Sequence, residues 1–567
     1  MIKKIVKLSL FAGLFFTSCT TSKVATNKEV KSSQENESSQ KQPFVWNAAN
    51  VYFLLTDRFE NGDKTNDVNY GRTTETAKLR GFEGGDFRGV INKIEANYFT
   101  DLGVNAIWMT PIVEQIHGFV DEGQGKTYGF HGYWTKDWTS IDKNWGTEKE
   151  LQELVDKAHS KGIRIMLDAV INHTGPATTS DGVFPSDWVR VSPQCTYDSY
   201  KSTIECTLVK NLPDILTESE NDVLLPPQLL AKWSKEGRLE KEVAELNAFF
   251  TTYNLPKAPK YYIMKWLSDY IRKYGIDGYR VDTVKHTEED VWKKFNEICQ
   301  DAFEEYKAAN PTKILDQNKF FLLGEVYNYS INDAQQFHFP DQTVNYFENG
   351  FDALINFDLR STQKESNQTV FDRYNDILQN KMEGKSVMSY ITSHDDGSPF
   401  DKNRQNPWDA GTRLLLTPGI SQIYYGDETA RPLEVVGVEG DANLRSNMNW
   451  ESIKPNSETE SLLKHYQKLG QFRRNHPAVG AGNQTDLQNS PYIFTRKYKT
   501  DDVVIGLEMP IGKKSINVSS VWKDGTKVRD ADSGVSGKVV NGNFEMNTTF
   551  DIVLLEKVNY FFTRNRR

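Results

Sequence analysis

Four acidic residues stand at the ends of short apolar runs: Asp168, Asp282, Glu325 and Asp395. A lone acid in such a place is usually a solvated or capping residue. Two carboxylates that flank a glycosidic bond can act as nucleophile and proton donor, about 5–5.5 Å apart in retaining glycosidases. Four acids in register with the strands of one barrel would converge at its mouth, and this favours a catalytic site.

Short apolar runs that alternate with helical patterns are the elements that must position these acids. Amphipathic stretches at residues 148–162 and 261–275 both end at a glycine, as helices do. The alternation predicts an α/β protein built on a (β/α)8 TIM barrel, with a doubly wound open sheet as the structural alternative. The eight runs of buried-strand type start at Val51, Ala106, Ile163, Ile276, Phe320, Ala353, Ser386 and Ser421.

Two regions depart from the alternation and suggest further domains. Over 80 residues separate the third run from the helical pattern at Tyr261, a length typical of an inserted subdomain. Alternating runs near the C-terminus, such as YIFTRKY and VVIGLEM, favour an antiparallel β-domain. We therefore expect the barrel at residues 46–172 and 256–477, an inserted domain B at 173–255 and a β-sandwich at 478–567.

The N-terminus has the pattern of a targeting segment. Lys3, Lys4 and Lys7 precede an apolar run over residues 8–16, which is too short for a permanent membrane span and predicts a signal peptide at 1–18. Small residues before Cys19 resemble the bacterial lipoprotein cleavage site, so Cys19 is the expected lipidation site; plain secretion is the alternative. Residues 19–45 are too polar to fold and predict a tether. We expect an exported, membrane-anchored protein that touches the membrane only through this lipid.

Composition narrows the range of partners and metals. The net charge of −9 argues against nucleic acid, which requires a basic face. Cys195 and Cys206 lie in one loop-like segment and could close a short ring, whereas Cys299 lies in a helical pattern and is expected to be a buried thiol. The chain has no CxxC or Cys/His pattern of a zinc site. We expect a monomer.

Four short motifs at the predicted strand ends resemble those of the α-amylase family: DAVINH (168–173), GYRVDTVKH (278–286), GEVY (324–327) and SHDD (393–396). Each is weak alone, but the set occurs in the family's order and is highly specific. LPDI (212–215) resembles a fifth motif, in the family's inserted domain, and the likeness spans residues 48–475. SHDD carries Ser393 where the family more often has asparagine.

The resemblance implies a role for each polar residue in the motifs. Asp282 would be the nucleophile, Glu325 the acid/base and Asp395 the group that stabilises the distorted sugar. Arg280 would keep Asp282 ionised, because an adjacent guanidinium lowers a carboxylate pKa. Lys285 and His286 would contact sugars on the leaving-group side. The full set implied to bind substrate is Tyr133, His173, Arg280, Lys285, His286 and His394.

Calcium prefers six to eight oxygen ligands, and two places in the sequence supply them. The resemblance implies a structural site formed by Asn172, Asp214 and the carbonyl of His286. NGDKTND (61–67) with GGD (84–86) resembles a calcium loop of cyclodextrin-forming relatives; a polar turn is the alternative there. The expected ligands of this second site are Asn61, Asp63, Asn66, Asp67, Gly84 and Asp86.

Taken together, the sequence predicts a retaining endo-hydrolase of α-1,4-glucosidic bonds in starch, glycogen and maltooligosaccharides, with Ca²⁺ as cofactor. Within the same family, a cyclomaltodextrinase or a glucanotransferase is the alternative. A surface glycan-binding protein with an inactive barrel is the alternative from another class. The intact set of Asp282, Glu325 and Asp395 argues against the last, because binding alone does not need all three.

Overall fold

The computed structural model describes residues 43–558. The predicted signal peptide, Cys19, nearly all of the predicted tether and the last nine residues lie outside this range. None of the helices within the described range is both long and apolar enough to cross a membrane.

Eight parallel strands close into a barrel, which confirms the predicted fold. Every residue of all eight strands is buried, as expected for strands covered on both faces. Each strand pairs with its neighbours in chain order, and β8 closes against β1. The strands are β1 Asn50–Leu54, β2 Ala106–Met109, β3 Arg164–Ala169, β4 Gly278–Val281, β5 Phe321–Gly324, β6 Ala353–Asn356, β7 Ser386–Tyr390 and β8 Ile420–Tyr424.

Helices follow most of the strands, and local sequence sets their ends. The helix Glu148–Ser160 begins at a capping box in which Thr147 and Glu150 satisfy each other's backbone N–H groups. The helix Pro259–Tyr274 starts with proline in its first turn and ends at Gly275, whose φ of 70° suits glycine. The remaining long helices of the barrel are Phe87–Glu95, Glu289–Ala309, Asn367–Asn380, Pro407–Leu416 and Glu458–Asn475.

The predicted insertion after β3 is present and carries its own elements. The short strands Val189–Arg190 and Asp214–Ile215 pair antiparallel, and the helices are Tyr200–Ile204, Pro227–Lys235 and Leu239–Tyr253. Cys195 and Cys206 form a disulfide here, and Cys299 is a buried free thiol. The excursion after β2 adds the strands Val113–Gln115 and Thr135–Ile141, with a small hairpin of Val120–Asp121 and Lys126–Thr127 between them.

The C-terminal region is antiparallel, as predicted. A six-stranded sheet and a separate antiparallel pair, Gly512–Asn517 with Asn543–Thr548, share a hydrophobic core that includes Val504, Val553 and Phe544. Its strands are β9 Asn483–Asn489, β10 Tyr492–Tyr498, β11 Asp501–Leu507, β12 Gly512–Asn517, β13 Lys527–Asp530, β14 Ser536–Lys538, β15 Asn543–Thr548 and β16 Val553–Lys557. The residue limits that the sequence suggests for each domain stay predictions.

Candidate active site

The strand-end acids meet at the carboxyl end of the barrel. Asp282 directly follows β4 and Glu325 directly follows β5, so the barrel hydrogen bonds extend to both: Asp282 N–H donates to the Ala169 carbonyl and Glu325 N–H to that of Val281. Asp168 is the fifth residue of β3 and lies opposite Arg280 in the register of β3 and β4. The regular barrel therefore fixes the backbone of these groups.

Arg280 joins three of the acids through one guanidinium. Its Nη1 lies 2.6 Å from Asp282 Oδ1 and 2.9 Å from Asp168 Oδ1, and its Nη2 lies 3.0 Å from Glu325 Oε2. The Arg280 side chain is 1% exposed, so water screens these contacts weakly. Asp282 and Glu325 are thus held beside the same cation, an arrangement compatible with the short carboxylate separation of a retaining mechanism.

Glu325 has the electrostatic setting of a proton donor. Burial raises the pKa of its carboxyl to about 8; Arg280 opposes this, and Asp282 and Asp395 add to it. The Thr283 backbone N–H donates to Glu325 Oε2 at 3.0 Å, which orients the group. A carboxyl with this pKa is protonated at neutral pH and can protonate a leaving oxygen.

Asp395, in contrast to Glu325, is held in its ionised form. Burial alone would raise its pKa, but His394 and Arg445 outweigh burial and keep it well below its usual range. Arg445 Nη2 donates to Asp395 Oδ1 at 2.5 Å, and His394 Nε2 lies 2.9 Å from Asp395 Oδ2. Arg445 Nε also donates to the His394 carbonyl at 3.1 Å. Asp395 is therefore an ionised carboxylate in a site where Glu325 is neutral.

Tyr133, His173 and His394 lie beside these acids, as the sequence predicts. The Tyr133 hydroxyl donates to Asp168 Oδ2 at 2.9 Å, and its ring stacks on His394 with centroids 5.4 Å apart. His173 Nε2 lies 3.1 Å from the Tyr133 carbonyl oxygen. Burial lowers the pKa of both histidines, so both are neutral imidazoles at pH 7. The acids are therefore surrounded by the face of the Tyr133 ring and by two neutral histidines that can form hydrogen bonds.

Lys285 and His286 lie in the short helix Val284–His286 and line one cavity together with Glu325. Lys285 Nζ donates to the Tyr327 carbonyl at 3.3 Å, and His286 Nδ1 lies 2.8 Å from the Thr203 carbonyl oxygen. Burial lowers the pKa of His286 to about 4, so its ring is neutral. The insertion therefore contacts the active site directly through His286.

The first calcium site that the resemblance implies has two buried polar atoms without a hydrogen-bond partner among residues 43–558: Asn172 Nδ2 and Asp214 Oδ1. Ile215 N–H donates to the Asn172 carbonyl at 2.7 Å, which keeps the two segments together. The other oxygen of Asp214 accepts from Arg190 Nε at 2.8 Å, and burial raises the pKa of Asp214 to about 8. A cation beside the free Asp214 oxygen would offset that burial, so Asp214 fits calcium, and Asn172 fits it with its amide turned to present Oδ1 in place of Nδ2.

The second loop that is expected to bind calcium folds around Asp86, which accepts from the N–H groups of Gly62 and Asp63. Within the described part of the chain, Asn61 Oδ1 and Asn66 Oδ1 are buried without a hydrogen-bond partner. Gly84 has φ 92°, and a Cβ there would lie 2.3 Å from Asn61 Nδ2 and 2.6 Å from Asp67 Oδ1.

Not every oxygen of this loop is free. Asp86 caps the helix Phe87–Glu95 and accepts from Gly89 N–H at 2.7 Å, and Asp63 Oδ1 accepts from Thr65 N–H at 2.9 Å. The unpartnered amide oxygens and the tight approach at Gly84 nevertheless fit an oxygen-lined cation site better than a plain polar turn.

Arg445, Asp441 and Trp108 are site residues that the sequence reasoning did not single out. Asp441 binds Arg445 Nη1 at 2.6 Å, and Trp108 Nε1 donates to Asp168 Oδ2 at 3.2 Å. The segment NLRSNMNW (443–450), which follows the last strand, also looks like a family segment and contains Arg445. Because this segment departs from the family's usual form, the sequence does not predict the contact between Arg445 and Asp395.

Comparisons with known proteins identify the family of this chain. The family described as alpha amylase, catalytic domain, matches residues 53–482. The chain is 35% identical over 539 residues to the periplasmic alpha-amylase of Escherichia coli (strain K12), with 85% of this chain and 75% of that one covered. A cyclomaltodextrin glucanotransferase of Geobacillus stearothermophilus is 27% identical over 476 residues, which cover 81% of this chain and 59% of that relative.

Among solved structures, an Anoxybacillus alpha-amylase superposes with a TM-score of 0.62 at 22% identity, over 91% of this chain and 100% of that one. At that identity the likeness concerns the fold alone. The match to the family over most of the barrel, together with the 35% identity to a curated relative, establishes that this chain belongs to the α-amylase family of glycoside hydrolases.

Proposed function

We propose that the protein is an exported, retaining endo-hydrolase of α-1,4-glucosidic bonds in starch, glycogen and maltooligosaccharides. The observation that carries the proposal is the shared guanidinium of Arg280, which holds Asp282 and Glu325 side by side. The two carboxyls differ in what surrounds them: Glu325 has a raised pKa, whereas Asp282 makes the shorter contact with Arg280. That difference suits one nucleophile and one acid.

In the first step, an Asp282 oxygen attacks the anomeric carbon while Glu325 transfers its proton to the departing glycosidic oxygen. A covalent glycosyl-enzyme forms, and the leaving sugar departs as an alcohol. Asp395 carries a negative charge that favours the positive charge developing on the sugar ring, and Arg445 fixes its position.

In the second step, Glu325 is a carboxylate and takes a proton from water as the water attacks the same carbon. Asp282 is released, and the product keeps the α configuration. His173 and His394, as neutral imidazoles, would hydrogen-bond hydroxyls of the sugar that reacts. Such contacts accelerate the reaction if they strengthen as the ring distorts.

Calcium would have a structural role in this proposal. Asn172, Asp214 and the His286 carbonyl would hold one ion between barrel and insertion. The oxygens of residues 61–67, with Gly84 and Asp86, would hold another. A bound ion would supply charge that offsets the buried Asp214 carboxylate. The catalytic trio lies outside both ligand sets.

We propose that the protein is anchored to a membrane surface outside the cytoplasm by a lipid on Cys19. The positively charged and apolar start of the sequence supports export, as does the similarity to a periplasmic relative. Replacing Cys19 with Ala should release the full-length protein from membranes, and a version that starts at residue 43 should be soluble and active. Membrane association of the Cys19→Ala protein would contradict lipidation.

The discriminating experiment follows starch viscosity and reducing sugar together. An endo-hydrolase lowers viscosity well before reducing ends accumulate. A glucanotransferase would give cyclic products without matching reducing ends, and a cyclomaltodextrinase would prefer cyclodextrins to starch. A binding protein with an inactive barrel would change neither reading, and that result would contradict the proposal.

A further inference from the structure

Asp396 is a buried acid that the proposed mechanism does not use. It directly follows Asp395 in the chain, and its side chain is 8% exposed, whereas that of Asp395 is 40% exposed. An aspartate is rarely buried to this degree without partners that offset the loss of its hydration. The partners of Asp396 therefore indicate what it does.

These partners come from two neighbouring strands of the barrel. Tyr390, the last residue of β7, donates its hydroxyl to Asp396 Oδ2 at 2.9 Å. Arg360, in the short helix Leu359–Ser361 that follows β6, forms an ion pair with the same oxygen and donates from Nη1 to the Ser398 carbonyl at 3.3 Å. Since β6 and β7 pair in the barrel, Asp396 ties the loop after β7 to the segment after β6.

The backbone on both sides of Asp396 is held as well. Ser398 N–H donates to Asp396 Oδ1 at 3.0 Å. The Ser393 hydroxyl oxygen accepts from the N–H groups of Asp395 at 3.4 Å and Asp396 at 3.2 Å. Serine and asparagine can both form such turns with backbone N–H groups that follow them, so Ser393 suits a position where the family more often has asparagine. Asp395 thus lies in a segment that is fixed at several points.

The position of this segment matters because of what Asp395 does in the proposed function. Arg445 and His394 hold the Asp395 carboxylate, but these contacts act on its side chain. The carboxylate stabilises positive charge that develops on the sugar ring, and the energy of that interaction depends on the distance between the two charges. A misplacement of about 1 Å in an active site can lower the rate roughly a hundredfold.

We propose that Asp396 is a positioning residue: bound by Arg360 and Tyr390, it fixes the segment that carries Asp395 where the transition state requires its charge. The proposal rests on the proposed function and extends it to residues that act through Asp395. Loss of Asp396 therefore lowers kcat and kcat/KM by the same factor and leaves KM unchanged. For the same reason, its loss has no effect on an enzyme that already lacks the Asp395 carboxylate.

The test is a double-variant cycle with maltohexaose as substrate. Asp396→Asn keeps the size of the side chain and removes the negative charge, and kcat should fall about tenfold or more with KM unchanged. In Asp395→Asn, assayed at high enzyme concentration, the same substitution should change the residual rate by less than about twofold. Arg360→Ala should reproduce the loss, and Arg360→Lys, which keeps the positive charge, should restore part of it. If Asp396→Asn does not fold, Tyr390→Phe, which removes one hydroxyl, provides the same comparison between the two backgrounds.

Asp401→Asn is the matched control. Asp401 is a buried acid in the same loop, and its carboxylate accepts from the N–H groups of Gln405 and Asn406 at 2.9 and 2.8 Å. This variant should retain the wild-type kcat. A loss as large as that of Asp396→Asn, equal losses from Asp396→Asn in both backgrounds, or no loss in the wild-type background would overturn the positioning role. A wild type that does not cleave maltohexaose would instead contradict the proposed function, so the two failures are distinguishable.

Discussion

Arg280 Nη2 lies 3.0 Å from Glu325 Oε2, so the proposed proton donor sits against a cation and still has a raised pKa. Burial is the larger influence, and it brings the pKa of Glu325 to about 8. The acid is therefore protonated at neutral pH because the effect of burial outweighs that of the neighbouring cation.

The first prediction follows from this pKa. On maltooligosaccharides kcat/KM should fall as pH rises through about 8, because deprotonated Glu325 cannot protonate the leaving oxygen. On α-maltosyl fluoride, whose departure needs no proton, the same decline should be absent. Steady-state rates between pH 5 and 10 on both substrates provide the measurement. If kcat/KM on the fluoride declines equally at high pH, the titrating group is not Glu325.

The second prediction concerns Arg445. Arg445→Ala removes the 2.5 Å contact to Asp395, so the pKa of Asp395 should rise and its carboxylate should lose its fixed position. We expect kcat to fall by up to roughly a hundredfold, the scale of a small misplacement in an active site.

The control is Arg80→Ala. Arg80 contacts Asp441 at 3.1 Å, and Asp441 in turn contacts Arg445 at 2.6 Å, so Arg80 is two side chains away from Asp395 along this path. This variant should lose much less activity than Arg445→Ala. If the two variants lose equal activity, Arg445 does not act through Asp395.

The third prediction concerns calcium. Chelation should lower the thermal midpoint while leaving the rate of the folded enzyme nearly unchanged, because the proposed ligands lie outside the catalytic trio. A ligand bound only by the folded state adds about 2.7 kcal/mol at a hundredfold excess over its Kd. Asn61→Ala and Asn66→Ala, which remove the unpartnered oxygens, should reduce the calcium-dependent shift. Calorimetric scans with and without chelator measure this shift of the thermal midpoint. An identical midpoint with and without chelator would contradict calcium binding.

The fourth prediction is a pH dependence of stability at His476. Burial lowers the pKa of His476, but Asp501 and Glu556, at 2.8 and 2.7 Å from its two ring nitrogens, outweigh this and raise the pKa to about 9. The protonated ring is therefore favoured in the folded state. The protonated ring should add on the order of 3 kcal/mol to the free energy of unfolding. This contribution should be complete below about pH 6.5 and lost as pH rises through about 9.

Thermal midpoints of the wild type and His476→Gln at pH 6 and 10 test this sign. The difference between the two proteins should be large at pH 6 and shrink at pH 10. A difference that grows with pH would show that the folded state prefers the neutral ring.

The sequence predicts the barrel because its strand and helix patterns are local, whereas the proposed roles of the three acids come from the resemblance of their motifs to the α-amylase family. Asp282 and Glu325 directly follow their strands, so their position in the chain predicts that they lie at the carboxyl end of the barrel. Arg445 was not predicted as a partner of Asp395, because it lies in a loop whose path depends on tertiary packing. The pairing of Cys195 with Cys206 stayed open for the same reason, since spacing alone does not orient two Cβ atoms.

The most direct test of the proposed retaining mechanism identifies the carboxylate that attacks the sugar. With α-maltosyl fluoride and added azide, Asp282→Gly should give the inverted β-azide, because the anion attacks from the face that the missing carboxylate occupied. Glu325→Ala should form the glycosyl-enzyme and stall for lack of a base. Azide should then release the α-azide, with retained configuration. Obtaining the α-azide from the Asp282 variant and the β-azide from the Glu325 variant would reverse the two roles, and a β-anomer as the first product of the wild type would contradict the retaining mechanism.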